Sequence, residues 1–292
     1  MDNPQKISVI TCFHDSNKYE ALCQSLKEQT VNYELIGIDN TKNDYSITAA
    51  YNKGASLATG SILCFIHEDV TILTSKWDIA ISQFFETHPE TGFIGVAGGR
   101  LASDTPSNWT AYQPQTYLVH CGRMHNTLKK EYSEVILLDG VFLACKANTL
   151  KTLKFDDNLK GFHGYDYDIC LKSVENGLKN YVTNKVLITH SSSGNRNRPY
   201  AEARLHVYSK HRNNLPLFTS DIPESQRDSI LYKISYKQLK RTVRLLIRNG
   251  YTEDEIISFI KEWDKYAKGL MKISPKLYIT LMKAIVFFIR KT

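Results

Sequence analysis

At 292 residues the chain is long for one compact domain and short for two, which predicts one catalytic-size domain with an appendage. Its net charge of +7 is uneven: residues 1–194 carry 17 basic and 21 acidic side chains, residues 195–292 carry 20 and 9. Six cysteines without a CxxC pair argue against a zinc or disulfide framework, and no apolar run is long enough to span a bilayer.

The amino terminus, MDNPQKISVITCFHD, has an acid and a proline ahead of a short apolar stretch and no small-residue cleavage site, so it does not read as a signal peptide and a cytoplasmic location is expected. Residues 6–13, 33–38, 62–66 and 93–97 are short runs rich in β-branched and aromatic residues bounded by polar or glycine signals, which predicts buried strands. Between them, residues 17–29, 46–57 and 77–86 place apolar side chains at helical spacing, as in Trp77, Ile81, Phe84 and Phe85. Such alternation predicts an α/β fold with a parallel sheet covered by helices on both faces. Ligands of such sheets bind beyond the carboxyl ends of the strands.

The strand exits therefore matter. They are His14-Asp15, Asp39-Asn40-Thr41 and His67-Glu68-Asp69. Turn chemistry accounts for isolated Asp or Asn. Glu68 and Asp69 together place adjacent like charges at one tip, a pattern a divalent cation neutralises through carboxylate oxygens.

Further on, VILLDGVFLACKANTL gives two apolar runs around Asp139-Gly140 and then a helix start. In FHGYDYDICLKSVENG, glycines bracket a helical stretch on which Asp166 and Asp168 lie about 200° apart around the axis, so only one faces a given pocket. The other is expected to cap the helix or face solvent near its amino terminus, where an acid is favoured. KVLITH reads as a strand ending at His190. Residues 199–213, 223–249, 252–268 and 275–291 read as helices with basic faces, suited to an anionic partner, lipid headgroups or nucleic acid, or to a solvated lysine face. The last holds only six consecutive apolar residues, 284–289, between Lys283 and Arg290, and fits either a membrane surface or packing against its neighbours.

In this order, ISVITCF, ELIGIDNTKND, YNKGASLATGSILCFIHEDV, LDGVFLACKANTL, FHGYDYDICLKSVENG and VLITHSSS resemble the family 2 type of glycosyltransferase with the GT-A fold, of the kind associated with bacterial capsule and other surface polysaccharides. The resemblance covers roughly residues 5–195. It implies a Rossmann-like, mostly parallel sheet in residues 1–198, followed by a basic helical extension in 199–292. It implies a nucleoside-diphosphate sugar donor, UDP-linked by preference, a glycan or lipid-linked acceptor, and a divalent metal, Mn2+ or Mg2+. Thr11 and Phe13 would belong to the nucleotide-binding loop, and Asp39 would meet the base. Asn52 matches the Asn-x-Gly helix of the donor side. Asp69 matches the metal-binding acid of Asp-x-Asp, and His190 the late histidine that completes the metal site. Glu68 would contact ribose or metal-bound water, Arg196 the phosphates, and Gly140 and Tyr165 the acceptor. Asp166 matches the general base.

Three positions depart from the pattern: Asn40 for the second acid of the nucleotide turn, His67 for the first Asp of Asp-x-Asp, and Tyr165 for the Glu before the base. One base and no protein nucleophile implies a single displacement with inversion. Rival readings find less support. A nucleotidyltransferase or other phosphate-handling enzyme predicts a glycine-rich phosphate loop, which is missing. A nucleic-acid binder lacks an aromatic-interleaved basic stripe. A non-catalytic binding module would need neither Asp166 nor the Asp69 and His190 pair.

Overall fold

A computed structural model describes residues 6–192, 194–263 and 286–287. The expected helix 275–291, but for two residues, and the end of the helix expected over 252–268 lie outside the described residues. The chain opens with β1 (Ile7–Phe13), α1 (Ser16–Gln29), β2 (Tyr33–Asp39), α2 (Ile47–Leu57), β3 (Ile62–Ile66), β4 (Val70–Ile72), α3 (Trp77–Thr87) and β5 (Thr91–Gly95). Short strands follow: β6 (Ala97–Gly99), β7 (Leu101–Ala102), β8 (Gln115–His120), β9 (Arg123–Asn126), β10 (Tyr132–Val135) and β11 (Leu137–Leu138). Then come β12 (Phe142–Lys146), α4 (Ala147–Leu153), α5 (Tyr165–Glu175), β13 (Lys179–Thr183), β14 (Ile188–His190), α6 (Arg198–Lys210), β15 (Leu217–Phe218), α7 (Glu224–Arg248) and α8 (Glu253–Trp263).

Seven strands form the main sheet in the order β10-β13-β5-β12-β3-β1-β2. Strands β1, β2, β3, β5 and β13 share one direction, while β12 and β10 run against it. The sheet is thus mostly parallel, as expected, with β12 inserted antiparallel because it enters from the loop at Asp139-Gly140 rather than through a helical crossover. Continuous apolar runs such as Ile62–Ile66 are buried throughout because helices cover both faces. On one face α1 and α3 contribute Leu22, Leu26, Trp77, Ile81, Phe84 and Phe85. On the other, α2 and α5 pack with α6, α7 and α8 into one continuous apolar cluster that includes Tyr51, Ile169, Tyr208, Val243 and Ile260. The basic helices therefore share the core of the sheet domain.

Local chemistry sets the entries of the helices at the site edge. Asp15 caps α1 by accepting from the amides of Asn17 and Lys18, and Ser46 caps α2 by accepting from Ala49. At the start of α5 Gly164 holds φ 81°, a left-handed conformation, and a Cβ there would meet Val207 of α6 at 3.2 Å. A second sheet, β11-β6-β8-β14-β4, lies beside the first. Its register pairs Val70 with His190 and His190 with His120, which carries three otherwise distant segments to one place.

All six cysteines are unpaired, and four of them, Cys12, Cys64, Cys145 and Cys170, are buried. No helix among the described residues is long and apolar enough to cross a membrane.

Candidate active site and metal centre

The carboxyl ends of β1, β2 and β3 gather at one edge. The Asn40 amide donates to the Phe13 carbonyl at 2.8 Å, and Glu68 Oε2 accepts the amides of His14 and Asp15 at 2.6 and 2.9 Å. Two backbone N–H groups thus hold Glu68 at the tip of β1, which the sequence did not reveal. Its neighbour Asp69 precedes β4 and so meets the end of β14: Asp69 Oδ1 lies 3.4 Å from His190 Nε2, and the Ser192 amide donates to Oδ2 at 3.2 Å. Burial alone would raise the Asp69 carboxyl. Hydrogen bonds from His190 and Ser192 outweigh it and hold the group well below the usual carboxylate range.

His67, Asp69 and His190 each present one ligand atom, and those atoms all lie within 4.8 Å of one another. Two imidazoles and one carboxylate are ligand types a divalent transition cation accepts, so the set is a candidate metal site. Burial depresses the His67 imidazole and neighbouring His190 adds to the effect, favouring the neutral form that binds metals. His67 was the unexplained departure in the sequence; here it joins the two residues expected to hold the metal.

Beside this group opens a cavity of about 620 Å3, lined by His67, Asp139, Gly140, Tyr165, Asp166 and His190 among others. Asp166, in the first turn of α5, accepts from the Gly140 amide through Oδ2 at 3.2 Å and from the Tyr167 amide through Oδ1 at 2.9 Å. Those bonds would lower its pKa, but burial and then the carboxylate of Asp139 push it up to about 7. A carboxylate so poised at the edge of a cavity suits proton abstraction near neutral pH. Arg196 and Tyr165 also line the cavity, so the structure assembles Asp166, Tyr165, Gly140, Arg196 and His190 around one space.

Other expected donor residues lie off that wall. Thr11 is fully buried within β1, its hydroxyl without a hydrogen-bond partner among the described residues. Phe13 stacks on Tyr19, with ring centroids 4.2 Å apart. Asp39 is exposed at the tip of β2 and accepts from the amide and hydroxyl of Thr41, which lower its pKa. Asn52 was expected on the donor side, yet both amide hydrogens and its carbonyl are engaged by Phe155 and Asp157. It clamps α2 to the loop after α4.

Asp168 departs from expectation too. It neither caps α5 nor meets solvent; it is fully buried, with Lys172, Lys210 and His211 on its oxygens. Burial opposes the charge, but His211, Lys172 and Lys210 hold the carboxyl well below its usual range. His211 is bridged in turn to Glu175 at 2.7 Å. The acid is a tie between α5 and α6.

Residues missed in the sequence lie on the cavity's far side. Trp109 donates from its indole Nε1 to Asp139 Oδ2 at 3.0 Å and is fixed through its own amide, which donates to the Tyr167 hydroxyl at 2.8 Å. Asn108 accepts from the Tyr200 hydroxyl at 2.9 Å and from Arg204 at 2.7 Å. The composition of NWTAY, an aromatic pair among small polar residues after β7, was the one signal available.

A nucleotide-binding type of α/β sheet with a cation-ligand group and a raised-pKa carboxylate at its carboxyl edge defines a group-transfer class of fold and site. Residues 8–211 match the model of a glycosyltransferase-like family, and the chain belongs to that family. Among solved structures, it is similar to GalNAc-T7 with UDP, GalNAc and Mn2+, at 12% identity, 93% coverage of this chain, 58% of that chain and a TM-score of 0.54. It is also similar to S. aureus TarS residues 1–349 in complex with UDP, at 15% identity, 98% and 91% coverage and a TM-score of 0.53. The likenesses are of fold, and they bear out the GT-A architecture; the chain spans 58% of the GalNAc-T7 chain. No curated protein matches.

Proposed function

We propose that the chain is an inverting glycosyltransferase that moves a sugar from a UDP-linked donor to a hydroxyl of a glycan or lipid-linked acceptor, in bacterial surface-polysaccharide synthesis. The carrying observation is Asp166: a carboxylate raised to about 7, in the wall of a cavity that also exposes His67 and His190. In its ionised form Asp166 takes the proton from the attacking acceptor hydroxyl. Gly140 and Tyr167 amides hold its two oxygens, so the carboxylate is pre-set in direction. His67, Asp69 and His190 would hold a divalent cation, which would supply charge stabilisation for a departing diphosphate. Arg196 adds positive charge from the same wall. The UDP in both similar structures supports a UDP-linked donor.

The acceptor enters over Trp109 and Asp139, since an aromatic face beside a carboxylate suits a sugar ring and its hydroxyls. The fold acts at the cytoplasmic face of the membrane, with the basic surface of α7 toward anionic lipid. The test is UDP release from a panel of UDP-sugars with Mn2+ or Mg2+ and an oligosaccharide acceptor, with NMR of the product's anomeric centre. Release dependent on acceptor and metal, with an inverted anomer, is expected. A retained anomer would overturn the single displacement, and donor hydrolysis alone would overturn the acceptor reading.

A further inference from the structure

The two departures flanking the metal and base motifs meet in space. His67 and Tyr165 stand where the resemblance has acids, and His67 Nε2 lies 2.7 Å from the Tyr165 hydroxyl. That hydroxyl also lies 3.1 Å from the Gly140 carbonyl oxygen, toward which it donates. A carbonyl only accepts, and a hydroxyl has one proton. Both contacts are satisfied together when His67 carries its proton on Nε2 and donates it to the tyrosine oxygen. Nδ1 then keeps its lone pair.

The hydroxyl has no freedom to swing away. The Tyr165 ring is buried, edge-on to Tyr51 at 5.6 Å and to Phe155 at 6.1 Å. The Gly140 backbone approaches so closely that a Cβ there would stand 2.1 Å from the hydroxyl oxygen, so this contact requires glycine.

We propose that Tyr165 is a positioning residue that fixes His67 as its Nε2–H tautomer, so that two imidazoles and one carboxylate form a cation site selective for first-row transition ions over Mg2+. Ligating histidines are set by the hydrogen bond of their other ring nitrogen, and such outer partners tune affinity. A set of two imidazoles and one carboxylate carries one negative charge and offers a single hard-oxygen side chain. Mg2+ favours carboxylate and water oxygens, whereas imidazole favours transition ions in the order Mn2+ below Co2+. Tyr165 adjoins Asp166 in α5, so the residue that orients the cation ligand also begins the helix that carries the base. The inference rests on the donor-site reading above, but cation binding is measurable without any sugar transfer.

The experiment is an electron paramagnetic resonance titration of the full chain with MnCl2 alone, followed by competition with MgCl2 and CoCl2. Wild type is expected to hold Mn2+ against at least about tenfold more Mg2+ and to lose it to less Co2+. Electron spin-echo modulation should show two imidazole nitrogens on Mn2+ in wild type and one in His67→Asn. Tyr165→Phe should weaken Mn2+ by about 10–100-fold while its metal-free melting temperature stays near wild type. His67→Asp should narrow the Mn2+ over Mg2+ preference. Equal competition by Mg2+, a single coupled nitrogen in wild type, or unchanged Mn2+ affinity in Tyr165→Phe would each overturn the proposal. If instead no UDP-sugar is turned over while these titrations behave as expected, the transfer reading fails and the cation site stands.

Discussion

The Gly140 amide donates to Asp166 Oδ2 across 3.2 Å, joining the loop before β12 to the first turn of α5. That bond orients a carboxylate whose pKa burial and Asp139 raise to about 7. On the proposed mechanism the ionised form is the base, so kcat/KM should rise with pH through about 7. Asp166→Asn should lose that limb and about 10²–10⁴-fold of the rate, with UDP affinity retained. A pH–rate profile of acceptor-dependent UDP release, paired with UDP calorimetry, checks both halves.

The same raised pKa makes a stability prediction. A carboxyl whose folded pKa lies above its unfolded value favours the folded state when protonated, so this contribution is lost as pH rises from about 4 through 7. Asp166→Asn should therefore melt higher than wild type at pH 8, with the difference shrinking toward pH 5. Metal-free thermal unfolding across that range reads it, and equal melting at both pH values would contradict the buried, raised carboxyl.

Asp69 is held ionised by His190 and Ser192, which prepares it for a cation. Nucleotide and metal together should stabilise wild type, by about 2.7 kcal/mol at a hundredfold excess over the dissociation constant. Asp69→Ala should abolish the metal-dependent part. Thermal shift with UDP, with and without Mn2+ and after chelation, measures this directly.

Trp109 is fixed at both ends, by Asp139 and by Tyr167, at the cavity wall. Replacement by Ala should raise the acceptor KM by several-fold, in line with aromatic contacts of about 0.5–1.5 kcal/mol, and leave UDP binding unchanged. Separate KM values for donor and acceptor distinguish this from general damage.

Two residues after Asp166 in the first turn of α5, Asp168→Asn would leave Lys172, Lys210 and His211 around a neutral amide. A loss of about 3–5 kcal/mol is expected from breaking a buried ion cluster. Since Asp168 is depressed and His211 raised by their mutual contact, the cluster weakens both at strong acid and as pH rises past the raised histidine pKa. Urea unfolding of wild type and variant against pH tests this.

Much of the fold was legible locally. Strands β1 and β3 and helices α1 to α3 follow from continuous apolar runs and helical spacing, because elements buried on a whole face must carry that pattern; β2 forms where expected but at the sheet's edge, with only Ile38 buried. The stretch between β5 and β12 was not legible. Strands of two to six residues there, some wholly exposed such as Arg123–Asn126, alternate too briefly to register. Trp109 was missed for the same reason: its role depends on Asp139, thirty residues on.

By itself the sequence determined which chemical groups arrive at strand tips and helix starts, including Asp69, Asp166 and His190, since chain direction and periodicity fix where each element ends. Only the tertiary structure decided partners. It joined His67 to Tyr165 and Asp69 to His190, turned Asn52 and Asp168 into braces, and set Asp166 beside Asp139. Those pairings span tens to over a hundred residues, and hydrogen-bond geometry and burial at such separations come from how sheets and helices pack, which no local pattern encodes.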